Sequence, residues 1–218
     1  MAARFEDREA AGAQLAESVM RLGLRNPVVF ALPRGGVPVA LPVAMALDAP
    51  LDLLLVRKIG TPGHEELAMG AVVDGEMPDV VWNPEIVKAI GVGSAEQARA
   101  VEEKLAEIAI RRRRYLGDRP PAAVEGRDAI VVDDGIATGA TLRAALLALR
   151  RRRPASITLA VPVAPTDVLE EIKQDVDNVV CLVTPYPFIA VGAHYVDFRQ
   201  TTDDEVAEAL ASRDQGKE

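Results

Sequence analysis

The sequence predicts an α/β domain built around a parallel β-sheet. Short apolar runs rich in β-branched residues, with no polar alternation, are typical of strands buried on both faces of such a sheet. Runs of this kind at 27–32, 130–132, 156–163 and 178–183 are separated by segments with helical periodicity, and another run, 51–56, contains a single aspartate. A chain of 218 residues can bury a full core, so we expect one domain over residues 1–212 and a disordered tail at 213–218.

Composition and charge exclude several classes of protein. The net charge of −8 disfavours non-specific nucleic-acid binding and a basic membrane contact. No apolar stretch approaches the roughly 18 residues of a membrane span, so we expect a soluble, cytoplasmic protein. The lone cysteine, Cys181, lies in an apolar run and is expected as a buried small hydrophobe rather than a nucleophile. His64 and His194 belong to no cluster of cysteines and histidines, which argues against a zinc site.

The stretch with the most chemical information follows the buried run at 130–132. Two carboxylates, Asp133 and Asp134, stand at the expected carboxyl end of this strand, and a turn of small residues then leads into a helix. Backbone N–H groups and the positive end of the helix dipole converge there, which favours a phosphate. The turn contains no lysine and lacks the spacing of a Walker A loop or of a Gly-x-Gly-x-x-Gly motif. Carboxylates beside a donor-rich turn suit a ligand such as a ribose 5-phosphate.

This stretch resembles the phosphoribosyl-diphosphate signature of the type I phosphoribosyltransferases: hydrophobic residues, two acidic residues and then a Thr-Gly-x-Thr turn. The resemblance implies that Asp133 and Asp134 hold the ribose hydroxyls. It also implies Mg²⁺, held by these two carboxylates directly or through the hydroxyls or water. The 5-phosphate would be bound by Ala137, Thr138, Gly139, Ala140 and Thr141. The structural alternative is an ordinary strand, turn and helix with capping threonines.

Two basic segments extend the resemblance. Arg34, Gly35 and Gly36 follow the first buried run, where the family has a diphosphate loop, and the resemblance implies a cis peptide bond between Pro33 and Arg34. Arg57 and Lys58 follow the run at 51–56 and would also lie against the diphosphate, although a solvated strand end is the alternative. Arg34, Lys58 and Asp134 are the residues that the resemblance implies in catalysis.

The remaining segments are expected to complete the site. Residues 60–66, rich in glycine and proline, predict a mobile loop that closes over the ligand. Residues 76–117 form a helical insertion whose long helix, 94–116, is expected as a hood strut or a homodimer contact. The aromatic segment 184–201 is expected as a small hood, in which Phe188 would stack on the acceptor and Asp197 would contact it. The four arginines at 111–114 and the four at 150–153 fit helix ends better than ligand contacts.

Taken with these motifs, the resemblance implies a doubly wound α/β sheet with mainly parallel central strands, a helical insertion and a small cap. It implies a phosphoribosyltransferase of nucleotide metabolism that transfers ribose 5-phosphate from phosphoribosyl diphosphate to a nitrogen acceptor, such as a nucleobase, and releases diphosphate. The alternative is a non-catalytic regulator that binds phosphoribosyl diphosphate or a nucleotide. A phosphatase with Asp133 as nucleophile would need a further aspartate motif earlier in the chain, which the sequence lacks.

Overall fold

The computed structural model describes residues 5–75 and 78–215. In chain order the elements are α1 (Arg8–Met20), β1 (Pro27–Ala31), α2 (Gly36–Ala46), β2 (Leu51–Leu53), β3 (Val56–Thr61), β4 (His64–Val73), β5 (Asp79–Trp82), α3 (Pro84–Ile90), α4 (Ser94–Leu116), β6 (Asp128–Val132), α5 (Ala140–Arg151), β7 (Ser156–Val163), α6 (Thr166–Ile172), β8 (Asn178–Val183), a 3₁₀ turn (Val191–His194) and α7 (Asp203–Gln215). Of the tail predicted to be disordered, 213–218, the last three residues lie outside the described part, and the first three are helical, because α7 extends to Gln215.

The central sheet has five parallel strands in the order β2, β1, β6, β7, β8. Its residues alternate between two cores, because successive side chains of a strand point to opposite faces. Val29 and Ala31 of β1 pack with α1, α2 and α7, whereas Val28 and Phe30 pack with α5 and α6. Helices therefore cover both faces, and the predicted doubly wound α/β fold is confirmed. Among the described helices, none is both long and apolar enough to cross a membrane.

A second sheet corrects the prediction for 51–66. The run at 51–56 is not one strand: β2 ends at Leu53, the chain leaves the central sheet at Leu54 and Leu55, and β3 begins the antiparallel sheet β3, β4, β5. Arg57 and Lys58 therefore lie inside β3 rather than at the carboxyl end of a central strand. An unbroken apolar run carries no signal for this change of sheet, since both environments are buried.

The predicted loop at 60–66 is mostly a β-hairpin. Only Pro62 and Gly63 form the turn between β3 and β4, and Gly63 has a φ of 78°, a left-handed conformation that glycine adopts without strain. The Thr61 hydroxyl donates a hydrogen bond to the His64 carbonyl across the turn, at 2.9 Å. The glycine and proline content thus marked a tight turn between two strands.

The segment predicted as a helical insertion contains β5, α3 and α4, and α4 spans 94–116 as predicted. The carboxyl-terminal half of α4 reaches back to the domain core. Arg112 bonds Asp52 of β2 at 3.2 Å and Asp74 after β4 at 2.7 Å, and both aspartates are buried. The helix also packs against β3 and α7, so it joins the hairpin to the helix layer of the central sheet.

Candidate functional site

The predicted site lies where β1 and β6 end side by side, since Ala31 pairs with Val132 in parallel register. The turn after β1 therefore lies against the two aspartates after β6. A Cβ atom on Gly35 would fall 2.0 Å from Oδ2 of Asp134, and one on Gly36 would fall 2.8 Å from the Val132 carbonyl oxygen. A side chain on Gly36 would meet backbone atoms, and one on Gly35 would have to displace the Asp134 carboxylate, so glycine at both positions lets the turn lie on the carboxylates. The peptide bond between Pro33 and Arg34 is cis, as predicted.

Among the described residues, Arg8 is the one cation that forms an ion pair with either of these two carboxylates. The Asp134 backbone N–H donates to Oδ1 of Asp133 at 2.9 Å, and Nε of Arg8 contacts Oδ2 of Asp134 at 2.7 Å. Burial raises the pKa of Asp133 well above its usual range, and the neighbouring Asp134 charge adds to the rise. Burial also raises the pKa of Asp134, although the bond from Arg8 opposes this rise. A ligand that brings hydroxyl donors or a cation to Asp133 would therefore relieve an existing electrostatic cost.

Arg8 belongs to this site, although no motif in the sequence indicates it. The guanidinium of Arg8 donates to the Arg199 carbonyl at 2.8 Å, and its Cζ lies 3.9 Å from the centre of the Phe198 ring. The Tyr195 hydroxyl donates to the backbone carbonyl of Asp134 at 2.6 Å. The first turn of α1 and the predicted hood thus hold Asp134 from two sides. The only local signal was Asp7, which caps α1 as its pattern predicts and so fixes the position of Arg8.

The predicted phosphate turn has the expected form. Gly139 is the N-cap of α5 with a φ of 71°, and no side chain caps the helix. Gly139 is buried against Ile172, while Ala137, Thr138, Ala140 and Thr141 are exposed. Within residues 5–75 and 78–215, neither threonine side chain has a hydrogen-bond partner, so the alternative of capping threonines does not describe this turn. The start of a helix of 12 residues is left open for an anion.

The basic side chains predicted at the diphosphate have contacts of their own. Nη1 of Arg34 lies 3.5 Å from Oδ1 of Asp203 at the start of α7. Nε of Arg57 lies 3.5 Å from Glu107 on α4, and burial together with the nearby Arg111 charge lowers the pKa of Arg57. Lys58 lines a groove of about 440 Å³ between the β3–β4 hairpin and α4, which Arg99, Lys104, Glu96 and Glu103 also line. Arg34, Arg57 and Lys58 form the basic region, and acidic residues of α4 or α7 lie near each of them.

The predicted acceptor residues have structural contacts of their own. Phe188 is half-buried, packs beside Phe5 and Tyr195, and stacks on the His194 ring at a centroid distance of 5.9 Å. Asp197 is exposed, and its Oδ1 accepts from the Arg199 backbone N–H at 3.0 Å. Asp197 lines a small cavity of about 140 Å³ together with Arg8 and Arg199. These contacts explain how the segment is held, and the acceptor roles of Phe188 and Asp197 stay predictions.

The arrangement limits what kind of metal the site could hold. In the described part of the chain, no three side chains of His, Cys, Asp or Glu are grouped closely enough to bind a metal ion by themselves. Asp133 and Asp134 offer hard oxygen atoms, and Mg²⁺ is commonly held by one or two carboxylates, with water and substrate oxygens as its other ligands. These two carboxylates therefore fit an ion such as Mg²⁺ whose other ligands are water and substrate oxygens.

Comparison with known proteins agrees with this geometry. The family model described as "Phosphoribosyl transferase domain" matches residues 3–197. Proteins from Mycobacterium tuberculosis strains H37Rv and CDC 1551, each named "Putative phosphoribosyl transferase", are 44% identical over 206 residues, which are 94% of this chain and 46% of theirs. This chain thus spans about half the length of those curated relatives. A crystal structure of a Thermus thermophilus protein is 43% identical, with a TM-score of 0.83, and the match covers 96% of this chain and 98% of that one. The chain therefore belongs to the phosphoribosyl transferase domain family.

Proposed function

We propose that the chain transfers ribose 5-phosphate from phosphoribosyl diphosphate to a nitrogen acceptor and releases diphosphate. The observation that carries the proposal is the close approach of the Gly35 turn to the Asp134 carboxylate, which puts the two motifs side by side. Nucleobases are the acceptor class to test first, because the residues predicted to contact the acceptor lie on an aromatic segment whose Tyr195 bonds the backbone carbonyl of Asp134.

Each part of the predicted site suits a different part of phosphoribosyl diphosphate. The open start of α5 at Gly139 would hold the 5-phosphate through backbone N–H groups. Asp133 and Asp134 would accept hydrogen bonds from the ribose hydroxyls, which would add donors to the backbone N–H that already bonds Asp133. The diphosphate would extend from Gly35 and Gly36, which lie against the carboxylates, toward the basic side chains of Arg34, Arg57 and Lys58.

The chemistry requires charge stabilisation more than proton transfer. The bond from the anomeric carbon to the diphosphate oxygen breaks and its electron pair leaves with the diphosphate. A bond from that carbon to the acceptor nitrogen forms, and the proton of that nitrogen passes to solvent. The transition state resembles an oxocarbenium ion, as in glycoside cleavage, with negative charge growing on the diphosphate. Arg34 and Lys58 would stabilise that growing charge. Asp133 and Asp134 would hold Mg²⁺ directly or through hydroxyls and water, and the ion, when bound, would supply further positive charge to the diphosphate.

The test measures binding and turnover separately. Phosphoribosyl diphosphate is titrated calorimetrically in the presence of Mg²⁺, and diphosphate release is then assayed with a panel of purine and pyrimidine bases. Arg34→Ala and Lys58→Ala should each lower turnover about a hundredfold, more than they lower affinity, because groups that act mainly in the transition state set the rate. Arg150→Ala and Lys173→Ala are matched controls, since both side chains are exposed and paired to acidic residues elsewhere.

The outcome separates an enzyme from a regulator. A non-catalytic regulator would bind phosphoribosyl diphosphate, release no diphosphate with any acceptor, and lose only affinity in the Arg34 and Lys58 variants. That result would replace the transferase with the regulator. Absence of binding by the wild-type protein would contradict both.

A further inference from the structure

Asp203, the first residue of α7, lies at the edge of the basic region and accepts from three donors. The Tyr115 hydroxyl donates to its Oδ1 at 2.6 Å, Nη1 of Arg114 contacts its Oδ2 at 2.6 Å, and Nη1 of Arg34 is 3.5 Å from Oδ1. The start of α7 is fixed by reciprocal bonds between Thr202 and Glu205, the capping box that their spacing predicts. A carboxylate is thus held in place beside the arginine of the predicted diphosphate loop.

The three contacts of Asp203 are unequal. Those from Tyr115 and Arg114 are short, whereas the distance to Arg34 is at the outer limit of a hydrogen bond. The hydrogen bond from Tyr115 and the charges of Arg114 and Arg34 lower the pKa of Asp203, so this carboxylate is ionised at neutral pH. Asp203 would keep two strong donors if Arg34 moved away. Asp203 is also the one ion-pair partner that Arg34 has within residues 5–75 and 78–215.

We propose that Asp203 occupies Arg34 in the absence of ligand and competes with diphosphate for it, so that this carboxylate limits diphosphate affinity. The inference rests on the proposed function, because it assumes that diphosphate lies at Arg34. A diphosphate oxygen carries a full negative charge and accepts bidentate bonds from a guanidinium, so it can displace a contact of 3.5 Å. Asp203 also repels the incoming anion. Removal of the Asp203 carboxylate should therefore tighten diphosphate binding. With the carboxylate present, the product diphosphate is expected to be released faster.

Tyr115 gives the inference a second, opposite test. Its hydroxyl bonds the same oxygen, Oδ1, that faces Arg34, and Tyr115 is buried with burial raising its pKa, so it remains a hydrogen-bond donor at neutral pH. Tyr115→Phe removes this donor and leaves Arg34 as the remaining partner of Oδ1. The Arg34 contact should then strengthen, and diphosphate affinity should fall.

The experiment titrates inorganic diphosphate with Mg²⁺ into the wild-type protein and three variants. Asp203→Asn should tighten binding about two- to fivefold, the range expected for a partly exposed ion pair. Tyr115→Phe should weaken binding by a similar factor. Asp204→Asn is the matched control: Asp204 is the next residue, its side chain is 83% exposed, and its one ion pair among the described residues is with Arg114, so affinity should be unchanged. The effect of Asp203→Asn should also shrink as salt is added.

The possible results are distinguishable. Wild-type protein that does not bind diphosphate would refute the proposed function. Measurable wild-type binding with equal or weaker binding by Asp203→Asn would refute the competition and leave the proposed function intact. Should Asp203→Asn fail to fold, Tyr115→Phe decides, and unchanged or tighter binding by that variant overturns the inference.

Discussion

Replacing Arg8 by glutamine removes the positive charge that holds Asp134, and we expect this change to destabilise the protein measurably. Arg8 contacts Asp134 at 2.7 Å, and the two side chains are only 11% and 16% exposed. Without Arg8, Asp134 would remain beside Asp133, whose own pKa is already raised by burial and by the Asp134 charge. The cation–π contact of Arg8 with Phe198 would be lost as well.

The magnitude follows from the burial of this pair. Breaking a fully buried ion pair costs about 3 to 5 kcal/mol, because the remaining charge is left without a partner. Residual exposure of both side chains lowers the expected cost to about 2 to 3 kcal/mol. Arg150→Gln is the control: its pair with Asp177 is 43% and 45% exposed, and it should cost at most about 1 kcal/mol.

The pH dependence has a definite sign. Burial raises the pKa values of Asp133 and Asp134 in the folded state. The folded state therefore binds protons more readily than the unfolded state, and the stability from these groups is fully present below the unfolded pKa of about 3.9. That stability is lost as pH rises through the raised folded values. Because Arg8 limits the rise for Asp134, the deficit of Arg8→Gln should be largest at neutral pH and shrink toward about pH 4.

Urea unfolding of wild type, Arg8→Gln and Arg150→Gln at several pH values measures the deficit directly. The reasoning fails if Arg8→Gln costs no more than the control, or if its deficit grows as the pH falls. Arg8→Lys should recover part of the stability at neutral pH, since it restores the charge but not the planar set of donors that bonds Asp134 and the Arg199 carbonyl together.

Two further predictions follow from single side chains. Gly35→Ala should abolish phosphoribosyl-diphosphate binding in calorimetry, because the added carbon would fall 2.0 Å from Oδ2 of Asp134. Gly93→Ala is the control and should bind like wild type, since its added carbon would lie in open space. Equal binding by both variants would contradict the close approach. Burial raises the pKa of Cys181 to about 11. Its thiol should therefore react with iodoacetamide at pH 8 about a hundredfold more slowly in the folded protein than after unfolding. Equal rates would show that the thiol is accessible.

The sequence predicted the parts of the site that lie next to strands. Parallel strands end at the same edge of their sheet, so a turn after β1 and a carboxylate pair after β6 could be placed together from their order alone, and the Ala31 to Val132 register confirms it. The change of sheet between Leu53 and Val56 was missed, because an unbroken run of apolar residues gives no sign of which sheet it enters. The placement of Arg57 and Lys58 at the carboxyl end of a central strand was wrong for that reason.

The long-range charge pairs could not be predicted. Arg8 is 126 residues from Asp134, Asp203 is 169 residues from Arg34, and Arg112 is 60 residues from Asp52. Charged residues at helix ends have a local explanation in the helix dipole, which is how the arginines at 111–114 were interpreted. Their tertiary partners depend on how the helices pack, and no spacing in the sequence encodes that packing.

Two of these pairs neutralise charged side chains of the signature motifs, namely Asp134 and Arg34. The carboxylate half is held by Arg8 from α1, and the basic half is held by Asp203 from α7. Both helices pack on α2, whose first residue, Gly36, lies against Asp133. A donor that carries hydroxyls and a diphosphate would have to replace both contacts, supplying donors to the carboxylates and an anion to Arg34. If the proposed function holds, the signature motifs would specify which groups meet the ligand, and α1 and α7 would set how much of its binding energy is used to displace the protein's own ion pairs.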